Sequence, residues 1–181
     1  MKNLFFYLLT FFLGAAAYAQ GSNKGFEDGF AVLAAGDTLK GGIKFKSGDE
    51  IKDRITLKIS EEEKRTYKAT DLKSFTAGNE TFISYKLNDE MVFLKELARG
   101  AIELYELQIP FTQGGSDTFK YEMYYRKQGE TSLTLIKQGS WKKQVAELIA
   151  DNSALAQQVE KGKVKLDDLA SLIQNYNSQK E

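Results

Sequence analysis

The spacing of the apolar residues changes once along this 181-residue chain, near position 140, and that change constrains the fold more than any other feature. Before it, apolar and polar residues alternate, as in 54–59, which is typical of strands with one solvated face. After it, apolar residues recur every three or four positions, as in 141–149, which indicates an amphipathic helix. Strands that precede helices, rather than alternating with them, favour an α+β fold. We therefore predict an antiparallel, β-rich part over about 28–137 and two or three short helices over about 140–177.

Three local features refine this prediction. The alternation changes phase between Leu104 and Tyr105, which predicts a β-bulge there. The segment 71–75 is typical of a single helical turn capped by its first residue. The second C-terminal helix begins where Asp151 or Ser153 can cap it.

The first residues predict a signal peptide. A short positive start precedes an apolar run over 4–17, and Ala17-Tyr18-Ala19 supplies a small-x-small cleavage pattern. We expect 1–19 to be the signal peptide, with cleavage between Ala19 and Gln20. Residues 20–25 then form a flexible start, and 26–181 form a single domain. The protein is expected to be exported, periplasmic or secreted, without a membrane span after cleavage, because the apolar run is shorter than the roughly 20 residues of a transmembrane helix.

The absence of two residue types limits the chemistry of the chain. It contains no histidine and no cysteine, which excludes Ser-His-Asp and Cys-His catalysis, histidine-bound zinc, disulfides and iron–sulfur clusters. The sequence predicts no catalytic residue, no cofactor and no metal ligand, and it leans away from an enzyme. The net charge is zero, so no nucleic-acid partner is expected.

Carboxylates leave one catalytic alternative open. A glycoside hydrolase needs two carboxyl groups that face each other across a cleft. Candidates on strands or at their ends are Asp53, Glu96, Glu103, Glu106 and Glu122. The sequence favours the simpler role for these residues, as partners of lysines on the solvated face of the sheet.

A candidate partner surface combines two sets of residues. Lys44, Lys46 and Lys58 are expected to share the polar face of adjacent strands, where they can hold an anionic glycan or lipid headgroup. Tyr124 points away from Tyr121 in the alternation and lies beside Arg126, so these two residues complete the surface. The pattern places Tyr121 in the core. Lysines also protect strand edges from aggregation, and the sequence favours that role for the basic stretch.

Three short motifs carry a resemblance to a known family. They are Gly-Asp-Thr-Leu-Lys-Gly-Gly-Ile at 36–43, Asp-Leu-Lys-Ser-Phe at 71–75 and Leu-Ile-Gln-Asn-Tyr-Asn at 172–177. In this order they resemble a family of uncharacterised exported proteins from Gram-negative bacteria, which implies no activity and no functional residue. The first half also resembles an SH3-like barrel, in which a G-x-I strand follows a Gly-Asp turn, so the β-rich part is expected to be a barrel or a roll.

Two functions follow from these observations. The first is an exported noncatalytic module of the cell envelope or secreted fraction that binds a protein or polysaccharide partner. The alternative is a carboxylate-dependent hydrolase acting on envelope or extracellular glycans. The oligomeric state stays open.

Overall fold

The structure, a computed structural model, describes residues 25–45, 52–113 and 116–180. The predicted cleavage site between Ala19 and Gln20, the predicted flexible start up to residue 24 and the predicted surface residue Lys46 lie outside these ranges. Ten strands come first: β1 Glu27–Leu33, β2 Thr38–Lys44, β3 Arg54–Lys58, β4 Lys64–Lys68, β5 Leu72–Ala77, β6 Glu80–Leu87, β7 Glu90–Ala98, β8 Ile102–Gln113, β9 Ser116–Lys127 and β10 Thr134–Leu135. Three helices follow: α1 Trp141–Leu148, α2 Ser153–Glu160 and α3 Leu169–Ser178.

All ten described strands belong to one antiparallel sheet, in the order β10-β9-β8-β7-β6-β5-β1-β2-β3-β4. The predicted α+β fold, with strands before helices, is therefore confirmed. The strand order has two ends, β4 and β10, so the described strands do not close into a barrel. Of the predicted barrel and roll, only the roll is compatible with this pairing.

One face of the sheet is buried along most of the strand order, whereas the other is buried only toward the β10 end. We call face A the side that carries Ala31, Ile43 and Phe75, and face B the side that carries Lys44 and Thr56. Over β1–β7, face A forms an apolar core in which the Phe75 ring stacks on Phe82 at 4.6 Å. Face B of β2–β4 is polar, which matches the alternation in the sequence.

The phase change at Leu104 and Tyr105 has a different cause from the predicted bulge. β8 pairs with β9 without a register shift, and the irregularity lies in β7, between Glu96 and Ala98. Leu104 packs on face A under the helices, whereas Tyr105 packs on face B in a second core. Because both faces of this strand are buried, adjacent apolar residues need no bulge in β8 itself.

The predicted helical turn at 71–75 is wrong, because Leu72–Ala77 is strand β5. Leu72 and Phe75 are buried in the core of face A, and this burial outweighs the local preference for a turn of helix. The Asp71 carboxylate accepts a hydrogen bond from the Lys68 backbone N–H at 2.8 Å, so it closes the turn between β4 and β5 instead of capping a helix.

The helices cover face A of the C-terminal part of the sheet. Asn152, between the two predicted candidates, caps α2 by accepting from the Leu155 N–H at 3.2 Å. The side chain of Asn177 on α3 is buried and hydrogen-bonded to the backbone at the start of β8. In the described part of the chain, no helix has the length and apolarity needed to cross a membrane.

Candidate functional site

Six cations lie on face B of three adjacent strands, and we call this surface the lysine face. Because β2, β3 and β4 pair in register, their alternate residues project to the same side of the sheet. No described carboxylate lies within 4 Å of the β2 and β4 lysines, so the surface carries unneutralised positive charge. The six residues are Lys40 and Lys44 on β2, Arg54 and Lys58 on β3, and Lys64 and Lys68 on β4.

Two cross-strand pairs on the lysine face bring like charges together. Lys58 is directly opposite Lys64, and Arg54 is directly opposite Lys68. Like charges in directly opposed positions destabilise a sheet. Carboxylates offset part of this cost, because Glu61 lies 2.6 Å from the Lys58 Nζ and Asp53 lies 3.1 Å from the Arg54 Nε. The Lys58 ammonium also lowers the pKa of the Glu61 carboxyl, first by its hydrogen bond and then by its charge.

An aromatic ring lies among these cations. Phe26 packs over Gly42, where an added Cβ would lie 3.1 Å from the Phe26 Cβ, so the glycine leaves room for the ring. The Lys44 Nζ is 5.8 Å from the ring centroid and the Lys64 Nζ is 5.6 Å from it, which are cation–π distances. The ring therefore tethers one lysine of β2 and one of β4.

The two halves of the predicted partner surface lie apart. Lys44 and Lys58 are on adjacent strands and on the same face, as the alternation predicts. Lys58 has an exposed side-chain fraction of only 11%, so its neighbours offer more accessible charge. Tyr124 and Arg126 lie on β9, and six strands separate β9 from β3 in the sheet order. The lysines and these two residues do not form one surface.

Arg126 belongs to a network on face B of β8 and β9. Glu103 Oε2 accepts hydrogen bonds from the Arg126 Nε and, at 2.8 Å, from the Tyr105 hydroxyl. Burial, reinforced by the hydrogen bond to Glu103, raises the pKa of Tyr105 well above its usual range. The Arg126 side chain therefore links β9 to β8, and its hydrogen bonds are used within this network.

Tyr124 is buried in a second network on the same face. Its hydroxyl donates to Glu122 Oε2 at 2.8 Å, and the Lys120 Nζ donates to Glu122 Oε1 at 2.8 Å. The hydrogen bond from Lys120 lowers the pKa of the Glu122 carboxyl, and the bond from Tyr124 adds to this. Burial, followed by the Glu122 hydrogen bond, raises the pKa of Tyr124. Only a small part of Tyr124 is accessible to a partner.

The candidate carboxylates of a hydrolase are distributed over both faces. Glu103 and Glu122 are hydrogen-bonded as described, and Glu96 Oε2 lies 3.1 Å from the Arg99 Nη2, although the angle does not make a hydrogen bond. Glu106 pairs with Lys95 and Met123 in the register of face A, and Asp53 lies beside Arg54 at the distant end of the sheet. Within the described ranges, no cluster of three acidic residues has the arrangement of a metal site.

A cavity of about 410 Å³ adjoins the lysine face. Arg54 and Lys68 line it from the sheet, and Lys52, paired with Glu90, lines it from the other side. The cavity and the lysine face thus share two cations, and the carboxylates of Asp53 and Glu90 also line the cavity.

Sequence reasoning missed Phe26, Lys64 and Lys68. The alternation over 64–68 was available as a signal, because pairing this segment with 54–58 places both lysines on the face of Lys58. The core position predicted for Tyr121 differs from the structure, in which 52% of the residue surface is exposed. This difference depends on where β10 ends, which a single strand pattern does not show.

Comparison with known proteins adds no further assignment. No family model matches the chain, no curated protein matches it, and no solved structure matches it.

Proposed function

We propose that this chain is an exported noncatalytic module of the cell envelope or secreted fraction that binds an anionic partner through the lysine face. The observation that carries the proposal is the set of four cations, Lys40, Lys44, Lys64 and Lys68, without a described carboxylate within 4 Å. Crowding or desolvating like charges costs free energy, and binding of an anionic partner offsets this repulsion. The proposal of export depends on the signal-peptide pattern in 1–19.

Edge protection accounts for only part of this surface. β4 is an end strand, where lysines discourage pairing with other chains. Lys40 and Lys44, however, are on β2, an inner strand whose edges are both paired. Charges on inner strands have no edge to protect, so their presence favours a binding role.

Of the two partner classes, an acidic polysaccharide fits the arrangement better than an acidic protein. The cations form two cross-strand rows, Lys58–Lys64 and Arg54–Lys68, four residues apart along each strand. Four residues of a strand span about 13 Å, so positive charge recurs at that separation across the surface. A linear polymer with a repeating anionic group can follow such rows.

Binding is favoured over hydrolysis because two of the candidate carboxylates, Glu103 and Glu122, are already engaged in hydrogen-bond networks. Glu103 and Glu122 each accept two hydrogen bonds, and the pKa of Glu122 is lowered, whereas a general acid at neutral pH needs a raised pKa.

The test is retention of the mature protein on immobilised alginate, a polyuronate, with neutral dextran as the reference. We expect retention on alginate that weakens as salt rises, because the contacts are electrostatic. The variant Lys44→Gln/Lys64→Gln/Lys68→Gln should lose retention. The control Lys137→Gln/Lys161→Gln/Lys163→Gln removes the same charge elsewhere and should keep it. Equal loss in both triple variants, or equal retention on dextran, would refute the proposal.

A further inference from the structure

The β8–β9 hairpin extends beyond the sheet as a two-stranded arm. The described pairing of β7 with β8 ends at Lys95 and Glu106. Beyond that point, Leu107–Gln113 of β8 pairs only with Ser116–Glu122 of β9, and we call these two segments the arm. A ribbon of two strands is marginally stable in water on its own. The arm therefore gains stability from any further strand that pairs with it.

The outer edge of the arm is open along β9. β10 pairs only with Tyr125 and Tyr124, and the Ile136 N–H then donates to the Met123 carbonyl at 2.8 Å. Because alternate residues direct their backbone groups to the same edge, those of Tyr121 and Phe119 point outward as well. No described strand pairs with that edge from Glu122 to Ser116.

The two edges of the sheet are protected from pairing with other chains to different degrees. At β4, the exposed charges of Lys64, Arg65 and Lys68 discourage edge pairing. Along the arm, the charge of Lys120 is paired with Glu122 at 2.8 Å. Tyr121, whose ring lies 6.4 Å from that of Phe119, is the most exposed of the large apolar residues in the described chain.

A groove of about 390 Å³ opens beside this edge, at the point where β10 ends. Tyr121, Met123, Ile136 and Leu166 give it apolar walls. A strand that continued the line of β10 along β9 would direct alternate side chains toward this groove. The β9 strand itself has suitable chemistry beside this edge, because Phe119 and Tyr121 on face A are aromatic and Thr118, Lys120 and Glu122 on face B are polar.

We propose that this edge pairs with a second copy of the chain, β9 against β9 in antiparallel orientation, so that two arms form a four-stranded sheet. This inference is independent of the lysine face. Three two-fold registers centre on the segment that carries the two aromatic residues, at Tyr121, Lys120 and Phe119. Centring on Tyr121 requires the Met123 carbonyl, which Ile136 already occupies. Centring on Lys120 places two lysines directly opposite, which is unfavourable. Centring on Phe119 pairs Phe119 with Phe119 of the second copy and Lys120 with Thr118, so we assign this register.

The absence of cysteine from the chain makes the register measurable. Single-cysteine variants Phe119→Cys, Lys120→Cys and, as a control on exposed α1, Lys143→Cys are oxidised under identical mild conditions. Opposed residues in a hydrogen-bonded antiparallel pair have Cα atoms about 5.5 Å apart, within the range of a disulfide. Phe119→Cys should crosslink roughly tenfold or more faster than Lys143→Cys, because strand pairing raises the effective thiol concentration.

Sedimentation of the unmodified protein supplies the second measurement. A short strand pair is smaller than a standard interface of about 1,600 Å², so we expect a reversible, concentration-dependent dimer. Tyr121→Pro removes an N–H that the monomer does not use and should abolish the dimer, whereas Tyr121→Ala keeps that N–H and should weaken it. A monomer at every concentration, or crosslinking of Phe119→Cys no faster than that of Lys143→Cys, overturns the proposal. Loss of alginate binding without loss of the dimer bears only on the lysine face.

Discussion

A single amide, Asn177, fixes the last helix to the sheet. Its Oδ1 accepts from the Ile102 N–H at 2.9 Å, and its Nδ2 donates to the carbonyls of Ile102 at 2.7 Å and Arg99 at 3.1 Å. Gly100, with φ +143°, lies against it, where an added Cβ would be 2.8 Å from the Asn177 Cγ. The side chain therefore satisfies buried backbone groups that have no strand partner at this turn.

Replacing Asn177 should destabilise the fold. We expect Asn177→Ala to lower the free energy of unfolding by about 2–3 kcal/mol, because it leaves buried backbone groups of Ile102 unsatisfied. The control on the same helix is Gln174→Ala, which removes one exposed hydrogen bond to the Leu97 carbonyl and should cost less than about 1 kcal/mol. Urea unfolding followed by circular dichroism measures both. Similar losses in the two variants would show that Asn177 has no special role.

Glu122 should make stability depend on acid pH. The hydrogen bond from Lys120 lowers its pKa in the folded protein below the ordinary value of 4.5. The carboxylate therefore stabilises the fold above pH 4.5, and this contribution is lost as the pH falls through the lowered pKa. We expect Glu122→Gln to be less stable than the unmodified protein at pH 7, by less than about 1 kcal/mol because Lys120 is largely exposed, with the gap closing below the lowered pKa. A gap that stays constant from pH 7 to that range in urea unfolding would contradict this account.

At this scale, the sequence predicts which face a residue occupies better than which partners it has. The alternation places Lys44 and Lys58 on one side because side-chain direction in a strand depends only on parity. The exposure of Tyr124 cannot be read in this way, because it depends on Glu122 and on a core assembled from four strands. The network of Arg126 likewise depends on the pairing of β8 with β9.

At the scale of elements, two glycines permit close approach between strands of the first half. An added Cβ at Gly29 in β1 would lie 1.8 Å from the Thr76 carbonyl oxygen in β5, and one at Gly41 in β2 would lie 2.2 Å from the Lys58 carbonyl oxygen. Such contacts cannot be relieved by rotating a side chain, because the atoms belong to the backbone. The pairing of β1 with β5 and of β2 with β3 therefore requires residues without a Cβ at these positions.

This geometry predicts a large effect for one methyl group. Gly29→Ala should lower the free energy of unfolding by about 1–3 kcal/mol or more through overpacking between β1 and β5. Gly139→Ala is the matched control, since an added Cβ there meets no atom within 4 Å. Thermal unfolding of the two variants compares them, and an equal melting temperature would refute the close approach.

Apolar residues that recur every two positions, or every three to four, predict most of the strands and helices because the spacing reflects which face is buried. These patterns fail at β5, where the local sequence suits a helical turn and only the burial of Leu72 and Phe75 shows a strand. They also place the bulge on the wrong strand, because the covering of both faces of β8 is a property of the assembled sheet. The open edge of β9 depends on strand order and is equally inaccessible from the sequence.

At the scale of the whole molecule, the positively charged lysine face and the open apolar edge of β9 lie in different parts of the sheet. The lysine face occupies one end of the strand order, and the open aromatic edge of β9 lies beside the short strand β10 at the other. A chain with zero net charge overall thus carries a local positive surface. The proposed polyanion surface and the proposed dimer edge therefore do not overlap.

Lysine acetylation with and without alginate, read by mass spectrometry on the mature protein, tests the central claim most directly. If the lysine face binds the polymer, Lys44, Lys64 and Lys68 should react more slowly in its presence, while Lys137 and Lys161 should react at an unchanged rate. Equal protection of all these lysines, or protection confined to Lys137 and Lys161, would contradict the assignment of the binding surface to face B of β2–β4.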